Sequence, residues 1–305
     1  MIKKTNKTNK INGILLLDKP TGITSNKALQ ITKKLFAAEK AGHTGSLDPI
    51  ATGVLPICFG QATKVSKYLI ESSKTYHVIA KLGIKTTTAD REGSVLVKKT
   101  FKKLKNEQIE EVLKLFIGKS EQLPPMFSAI KVNGIRLYKN ARKGLTIPRK
   151  SRQIVVHSIC LKNYKEDLLE LIVHCGKGTY IRTLIEDIGI QLNTYAHVTE
   201  LRRISIDLLD CQNIITLKQL EIAKKSQELH SYLLPLDTAI KFLPKVNINE
   251  EYRSCFRQGQ KIMLQPETNF LNKSIRVYDH KDEIIGIGCI EKDGFLKPIR
   301  VFNFD

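Results

Sequence analysis

The sequence predicts an α+β protein, a large mixed core followed by a small β-rich unit. Three observations carry this. Strand-like apolar runs and helical stripes mix without the regular βαβ alternation of a doubly wound sheet. Near residues 243–250 the pattern changes to short β-rich runs that continue to the C-terminus. The chain of 305 residues shows no internal repeat and is long enough for one large domain plus a small one.

Residues 1–11 (MIKKTNKTNKI) are basic, polar and aperiodic, and are expected to form a disordered tail. Order is expected from Gly13, with an apolar strand over 14–17 that runs into a Pro20-Thr21-Gly22 turn. Ser25 is placed as the N-cap of a helix whose Ala28, Leu29, Ile31, Leu35 and Phe36 fall at helical spacing. A strand is predicted over 76–82, closed by Gly83. Asn106 is expected to cap a second helix, with Glu107 and Glu110 near the positive end of its dipole. Its stripe is Ile109, Val112, Leu113, Phe116 and Ile117, and Gly118 is the stop. Residues 124–152 open with Pro124-Pro125 and carry Lys131, Arg136, Lys139, Arg142, Lys143, Arg149, Lys150 and Arg152, which suits a basic arm projecting from the core. Strands near 153–160 and 168–174 lead through a turn at 175–182 into a helix with Ile181, Leu184, Ile185, Ile188 and Leu192 on one face. A third helix is expected after Thr216. The core is bounded as 12–245 and the small unit as 246–305, with strands near 274–279, 284–290 and 295–303 and a hairpin turn at Asp293-Gly294.

Fifty Lys and Arg against thirty Asp and Glu give a net charge of +20. Such a charge suits a polyanionic partner, above all nucleic acid, with affinity that falls steeply as salt rises. A lysine-rich codon bias is the bland explanation. The six cysteines lie far apart with no CxxC pair, which argues against a zinc ribbon or a redox pair and for reduced thiols. No secretory signal is recognisable, and no apolar run approaches the roughly 18–20 residues of a membrane span, so the cytoplasm is expected.

Residues 41–60, AGHTGSLDPIATGVLPICFG, are the most informative run. They hold one carboxylate, Asp48, between a turn containing Gly42 and Gly45 and Pro49, beside His43. No metal-ligand spacing, no Ser-His pair and no GxxxxGK[ST] phosphate loop accompanies it. A lone acid on a constrained turn suggests covalent or electrostatic chemistry on a neutral substrate. Taken singly, the signals have ordinary readings. Asp48-Pro49 suits a turn, Tyr76 a half-buried aromatic, Tyr180 a helix anchor and Leu201 a core residue. Arg182 could pair on the surface with Glu186.

Five blocks together resemble one family. GILLLDKPTGITS (13–25), AGHTGSLDPIATGVLPICFGQATK (41–64), PPMFSAIKVNGIRLYKNARKG (124–144), CGKGTYIRTLIEDIG (175–189) and AHVTELRR (196–203) are similar to, and ordered as in, the TruB family of bacterial tRNA pseudouridine-55 synthases. The resemblance implies a mixed-sheet pseudouridine-synthase core and a small PUA-like RNA-binding domain at the C-terminus. It implies isomerisation of a T-loop uridine in transfer RNA, by detaching N1 from the sugar and rejoining it through C5, with no metal or organic cofactor. A monomer with no obligate protein partner is expected, because recognition of one loop by one chain requires no symmetry. By the same resemblance Asp48 is the nucleophilic aspartate, Tyr76 stacks on the base and is the favoured proton-abstracting group, and Arg182 pairs with the carboxylate. His43, Tyr180 and Leu201 contact the substrate, and Lys19 of the DKP motif supports the site. Ser46 departs from the Thr or Ala expected there, but it is small, so the turn should survive.

This chemistry asks for an ionised Asp48 and an extruded base, and Tyr76 and Tyr180 offer it aromatic faces. Burial would push the acid toward its neutral form, and Arg182 would oppose that. Two alternatives stand beside this reading. One is a non-catalytic tRNA-binding or RNA-folding protein, which the charge and the arm would serve equally well. The other is a guide-RNA-dependent relative, which would be expected to carry extra terminal segments for partner subunits.

Overall fold

The computed structural model describes residues 9–264 and 270–304. In chain order the strands of the large core are β1 (Gly13–Lys19), β2 (Ala41–His43), β3 (Thr52–Phe59), β4 (Lys74–Leu82), β5 (Ile84–Thr86), β6 (Val95–Lys98), β7 (Gly118–Gln122), β8 (Lys131–Val132), β9 (Ile135–Arg136), β10 (Arg152–Lys165), β11 (Leu168–Cys175), β12 (Ala196–Ile206), β13 (Ile215–Thr216) and β14 (Leu233–Leu234). The small unit adds β15 (Lys245–Asn247), β16 (Ile262–Met263), β17 (Ser274–Tyr278), β18 (Ile284–Ile290) and β19 (Phe295–Val301). The helices are α1 (Ser25–Leu35), α2 (Ser66–Glu71), α3 (Asn106–Lys114), α4 (Leu137–Ala141), α5 (Ile181–Gln191), α6 (Leu217–Lys225) and α7 (Glu250–Arg257).

One mixed sheet organises the core, in the order β13-β1-β3-β12-β4-β11-β10-β7, with β14 also on β1 and β2 on β3. The β3–β12 and β1–β13 pairs are parallel, and the other pairs in that order are antiparallel. The all-apolar run in β1 is buried on both faces, and its alternation sorts it between two cores. Leu15 and Leu17 join the main core with Val78, Leu171, Ile185 and Val198. Ile14 and Leu16 join a second cluster with Leu69, Ile240, Ile287 and Phe302. Through Ile287 and Phe302 this second cluster packs the small sheet, ordered β15-β17-β18-β19-β16, against the core. Helix α5 lies on β12, and Gly189 permits the contact, since a Cβ there would sit 2.3 Å from the Ala196 nitrogen.

Several expectations are met and several are corrected. Thr216 caps α6 in a reciprocal box with Gln219, and Asp293-Gly294 lies in the β18–β19 connection, with Gly294 at φ +82. Residues 1–8 lie outside the described residues, but 9–11 of the expected tail are held. The Asn9 amide donates to Ala37 O at 2.7 Å, and Ile11 is buried. The N-cap of α1 is Thr24, whose hydroxyl accepts from the Lys27 amide, and Ser25 is turned inward to another task. The N-cap of α3 is Lys105, not Asn106, and its amide is taken by the Gln108 side chain. That helix stops at Lys114, because the chain turns at 115–117 to enter β7, where Gly118 pairs with Val156 of β10. The small sheet begins at Lys245, one residue before the expected boundary. The basic segment leaves the sheet between the paired strands β7 and β10, and contains the β8–β9 hairpin and α4.

Candidate active site

The Asp48 loop joins β2 to β3, and residues distant in sequence fix it. The Ser25 hydroxyl bonds both the Leu47 amide (2.7 Å) and the Leu47 carbonyl (3.0 Å). Pro49 O accepts from the Gly22 amide at 2.8 Å, and Ile50 O accepts from the Thr21 hydroxyl at 3.2 Å. The Pro20-Thr21-Gly22 turn after β1 is therefore one jaw of a clamp on the loop. Ser46 is exposed, so the departure noted there costs nothing.

Arg182, in the first turn of α5, is buried and spends its donors on four partners. Its Nε and Nη2 reach the two oxygens of Asp48 at 2.8 and 3.2 Å, a bidentate pairing that fixes the plane of the carboxylate. Nη1 donates to Thr88 O and Nη2 to Phe127 O, both at 2.8 Å, and Asp90 lies 3.6 Å from Nη1. Arg182 makes no surface pair with Glu186, which binds Lys85 at 2.9 Å. The Asp48 side chain keeps 37% of its surface open while the Arg182 side chain keeps 4%, so the acid faces the cleft and the base backs it. Burial pushes the Asp48 carboxyl above the usual range. Arg182 is the strongest opposing influence, Asp90 adds to the rise and Lys19 opposes it.

Of the other residues singled out in the sequence, Lys19, Tyr76 and Tyr180 lie within reach of the Asp48 charge. Tyr76 sits on β4 opposite Arg203 of β12, close enough to Asp48 to feel its charge. Burial pushes its phenol up, with Arg203 pulling it back. Tyr180, the N-cap of α5, exchanges two hydrogen bonds with Gln122, at 2.8 Å through its amide and 3.1 Å through its carbonyl. Its phenol is likewise raised by burial, with Ser128 opposing. His43, at the end of β2, is held below its usual pKa by burial and by Arg203, and its buried Nδ1 has no partner. A neutral imidazole follows. Leu201, two residues before Arg203 on the same strand face, is only 6% exposed and belongs to the main core. Lys19 is fully buried. Its Nζ donates to Pro20 O, Ile23 O and Pro49 O at 2.8, 2.7 and 3.4 Å, and burial takes its pKa to about 8. Lys19 thus locks the Pro-Thr-Gly jaw, and its charge favours the ionised form of Asp48. Among the described residues no group of three or more His, Cys, Asp or Glu could hold a metal, and no helix is long and apolar enough to cross a membrane.

The sequence reading passed over three residues that build the site: Ser25 as the clasp on Leu47, Asp90 behind Arg182, and Arg203 beneath Tyr76. Asp90 is ordered by its own turn, accepting from the Thr88 hydroxyl at 2.5 Å and the Glu92 amide at 3.0 Å. No local pattern marks their roles in the site, because Leu47, Arg182 and Tyr76 lie far from them in the chain.

Three family models tile the chain. One described as TruB family pseudouridylate synthase (N terminal domain) matches residues 33–181. The tRNA pseudouridylate synthase B C-terminal domain matches 182–241, and Pseudouridine synthase II TruB, C-terminal, matches 244–302. A tRNA pseudouridine synthase B of Vibrio parahaemolyticus is 44% identical over 306 residues, covering 96% of each chain. The protein of that name from Coxiella burnetii is 43% identical over 298 residues, covering 96% of this chain and 95% of its own. The chain belongs to the TruB family of pseudouridine synthases. Among solved structures, a Cbf5-Nop10-Gar1 complex contains a chain that superposes with a TM-score of 0.71 at 24% identity, covering 99% of this chain and 92% of that one. At that identity the likeness speaks for the pseudouridine-synthase fold alone. Family membership makes this chain an enzyme rather than a passive RNA binder.

Proposed function

We propose that this pseudouridine synthase isomerises a uridine of transfer RNA, at position 55 in the T loop. Asp48 is the nucleophile or base that lets N1 exchange for C5 at the glycosidic bond. The observation that carries the reading is the bidentate Arg182–Asp48 pair, buried on the base side and open on the acid side. Such a pair holds a carboxylate ionised and aimed without a metal.

The rest of the cleft suits an everted pyrimidine. Tyr76 and Tyr180 supply faces for it, at about 1–3 kcal/mol per stacked base in comparable sites. His43, neutral and with a free buried nitrogen, suits the space the base leaves. Leu201 contributes an apolar wall, and Lys19 acts by holding the loop. Tyr76 is the nearest candidate to take the proton from C5, although its raised phenol needs help to do so. The arm at 124–152 grips the RNA backbone, and the C-terminal unit adds a second RNA contact. The enzyme works as a monomer in the cytoplasm, with no cofactor and no obligate protein partner.

Incubation with an unmodified tRNA transcript, followed by mapping of pseudouridine, tests the reading. The expected result is one modified uridine in the T loop with the wild type and none with Asp48→Asn. No product with the wild type would overturn the activity, and equal product with Asp48→Asn would overturn the role of Asp48.

A further inference from the structure

Arg203 is a charge placed where packing alone would not place one. It is among the largest fully buried side chains, and among the described residues no carboxylate pairs with it. A buried guanidinium is costly unless its donors are used. Its Nε donates to Val54 O of β3 at 2.6 Å, and its Nη2 to Gly45 O of the loop after His43 at 3.1 Å. Tyr76 of β4 is the directly opposed cross-strand neighbour of Arg203, so the two side chains leave the sheet on the same face, and Arg203 pulls back the phenol that burial raises. Gly45 allows the approach. Its φ is +79, and a Cβ there would lie 3.3 Å from Nη1. A single cation thus joins three elements, two of which carry residues that face the substrate.

We propose that Arg203 is a positioning residue that aims and electrically biases Tyr76 for removal of the C5 proton, while it seats the loop carrying His43. The inference rests on Tyr76 being the base. In the step itself the Tyr76 phenol first gives its proton to solvent. The phenolate oxygen then bonds the hydrogen of C5, the C5–H electron pair forms the C5–C6 double bond, and the C6–N1 π pair moves onto N1, which takes a proton from solvent. The phenol re-formed can return to solvent exchange. A phenolate in an apolar pocket needs a nearby positive charge, and Arg203 is the cation directly opposite it across the sheet. The other groups facing Tyr76 act against the phenolate, since the Cys175 thiol and the Asp48 carboxylate both raise the phenol. Lys19, Lys74 and His43 are lowered by burial first and by Arg203 as well, so none of them replaces its charge beside Tyr76. A strut made only of hydrogen bonds would not need the charge.

The test uses the full chain and a transcript labelled with tritium at uridine C5, with Arg203→Lys, Arg203→Gln and Tyr76→Phe. Folding is checked by circular dichroism. Expected for Arg203→Gln is a KM for RNA near that of the wild type, a kcat lower by about tenfold or more, and a pH–rate limb moved to higher pH. Arg203→Lys, which keeps the charge, should recover part of the loss. Placing 3,5-difluorotyrosine at position 76, with its more acidic phenol, should rescue Arg203→Gln. A kcat and pH profile unchanged in Arg203→Gln, or a loss that difluorotyrosine does not rescue, overturns the proposal. If Tyr76→Phe is slow while Arg203→Gln is normal, only the role of Arg203 falls. If Tyr76→Phe turns over normally, the role of Tyr76 falls as well. Should neither arginine variant fold, NMR of the wild type decides, because the Arg203 guanidinium protons and the Tyr76 ring must show a direct contact.

Discussion

Replacing Ser25 by alanine should damage the active site from a distance of 23 positions in the chain. The Ser25 hydroxyl is buried and makes both polar contacts of the Leu47 peptide group on that side, at 2.7 and 3.0 Å. Alanine removes both bonds and strands the Leu47 amide away from water. Two lost bonds cost about 1 kcal/mol each, and an orphaned buried donor raises the total to about 2–4 kcal/mol. Leu47 is the neighbour of Asp48, so the carboxylate loses one side of its clamp. A misplacement of about 1 Å at a reacting group costs roughly a hundredfold in rate. Urea denaturation and single-turnover pseudouridine formation measure the two effects. Thr24→Ala is the control. It removes the true N-cap of the same helix at about 1 kcal/mol and leaves the loop untouched. If Ser25→Ala is within about 0.5 kcal/mol of the wild type and its kcat is unchanged, the clamp is not what holds the acid in place, and the reasoning is wrong.

Four further outcomes are expected. Activity should fall as pH drops through the Asp48 pKa, and burial sets that limb above the ordinary aspartate range of about 3.9. Arg182→Lys loses the bidentate contact that opposes burial, so the limb should move to still higher pH, as a pH–rate profile would show. Gly53→Ala should cost at least about 3 kcal/mol in urea unfolding, because φ is +98 and the new Cβ would sit 2.2 Å from Arg203 O. Gly42→Ala meets nothing within 4 Å and should change stability by less than about 1 kcal/mol.

What could be read from the chain depended on how local the signal was. Strand β1, the strand–turn–helix around Arg182 and the Asp48 turn are written in contiguous residues, and each stands where expected. Two interior strands of the sheet, β3 and β12, were invisible. In β3, Pro56 breaks the strand pattern, yet its missing donor is no loss where its carbonyl accepts the Thr44 amide at 3.1 Å. In β12, Glu200, Arg202 and Arg203 hide the alternation. Arg202 turns outward to Asp18 at 2.9 Å, while Arg203 is the charge that points inward. Ser25 was read as a cap because serine before a helical stripe ordinarily is one. Only the folded chain shows that Thr24 does that work and frees Ser25 for Leu47.

Arg182 Nη2 is shared between Asp48 and the carbonyl of Phe127, at the root of the basic arm. Grip and reaction therefore turn on one bolt. If RNA were to draw the arm into a new position, Phe127 would tug the same planar cation that holds the acid. Recognition of the wrong loop shape would then be felt as a misaligned carboxylate rather than as weak attachment, and discrimination would show in turnover more than in affinity.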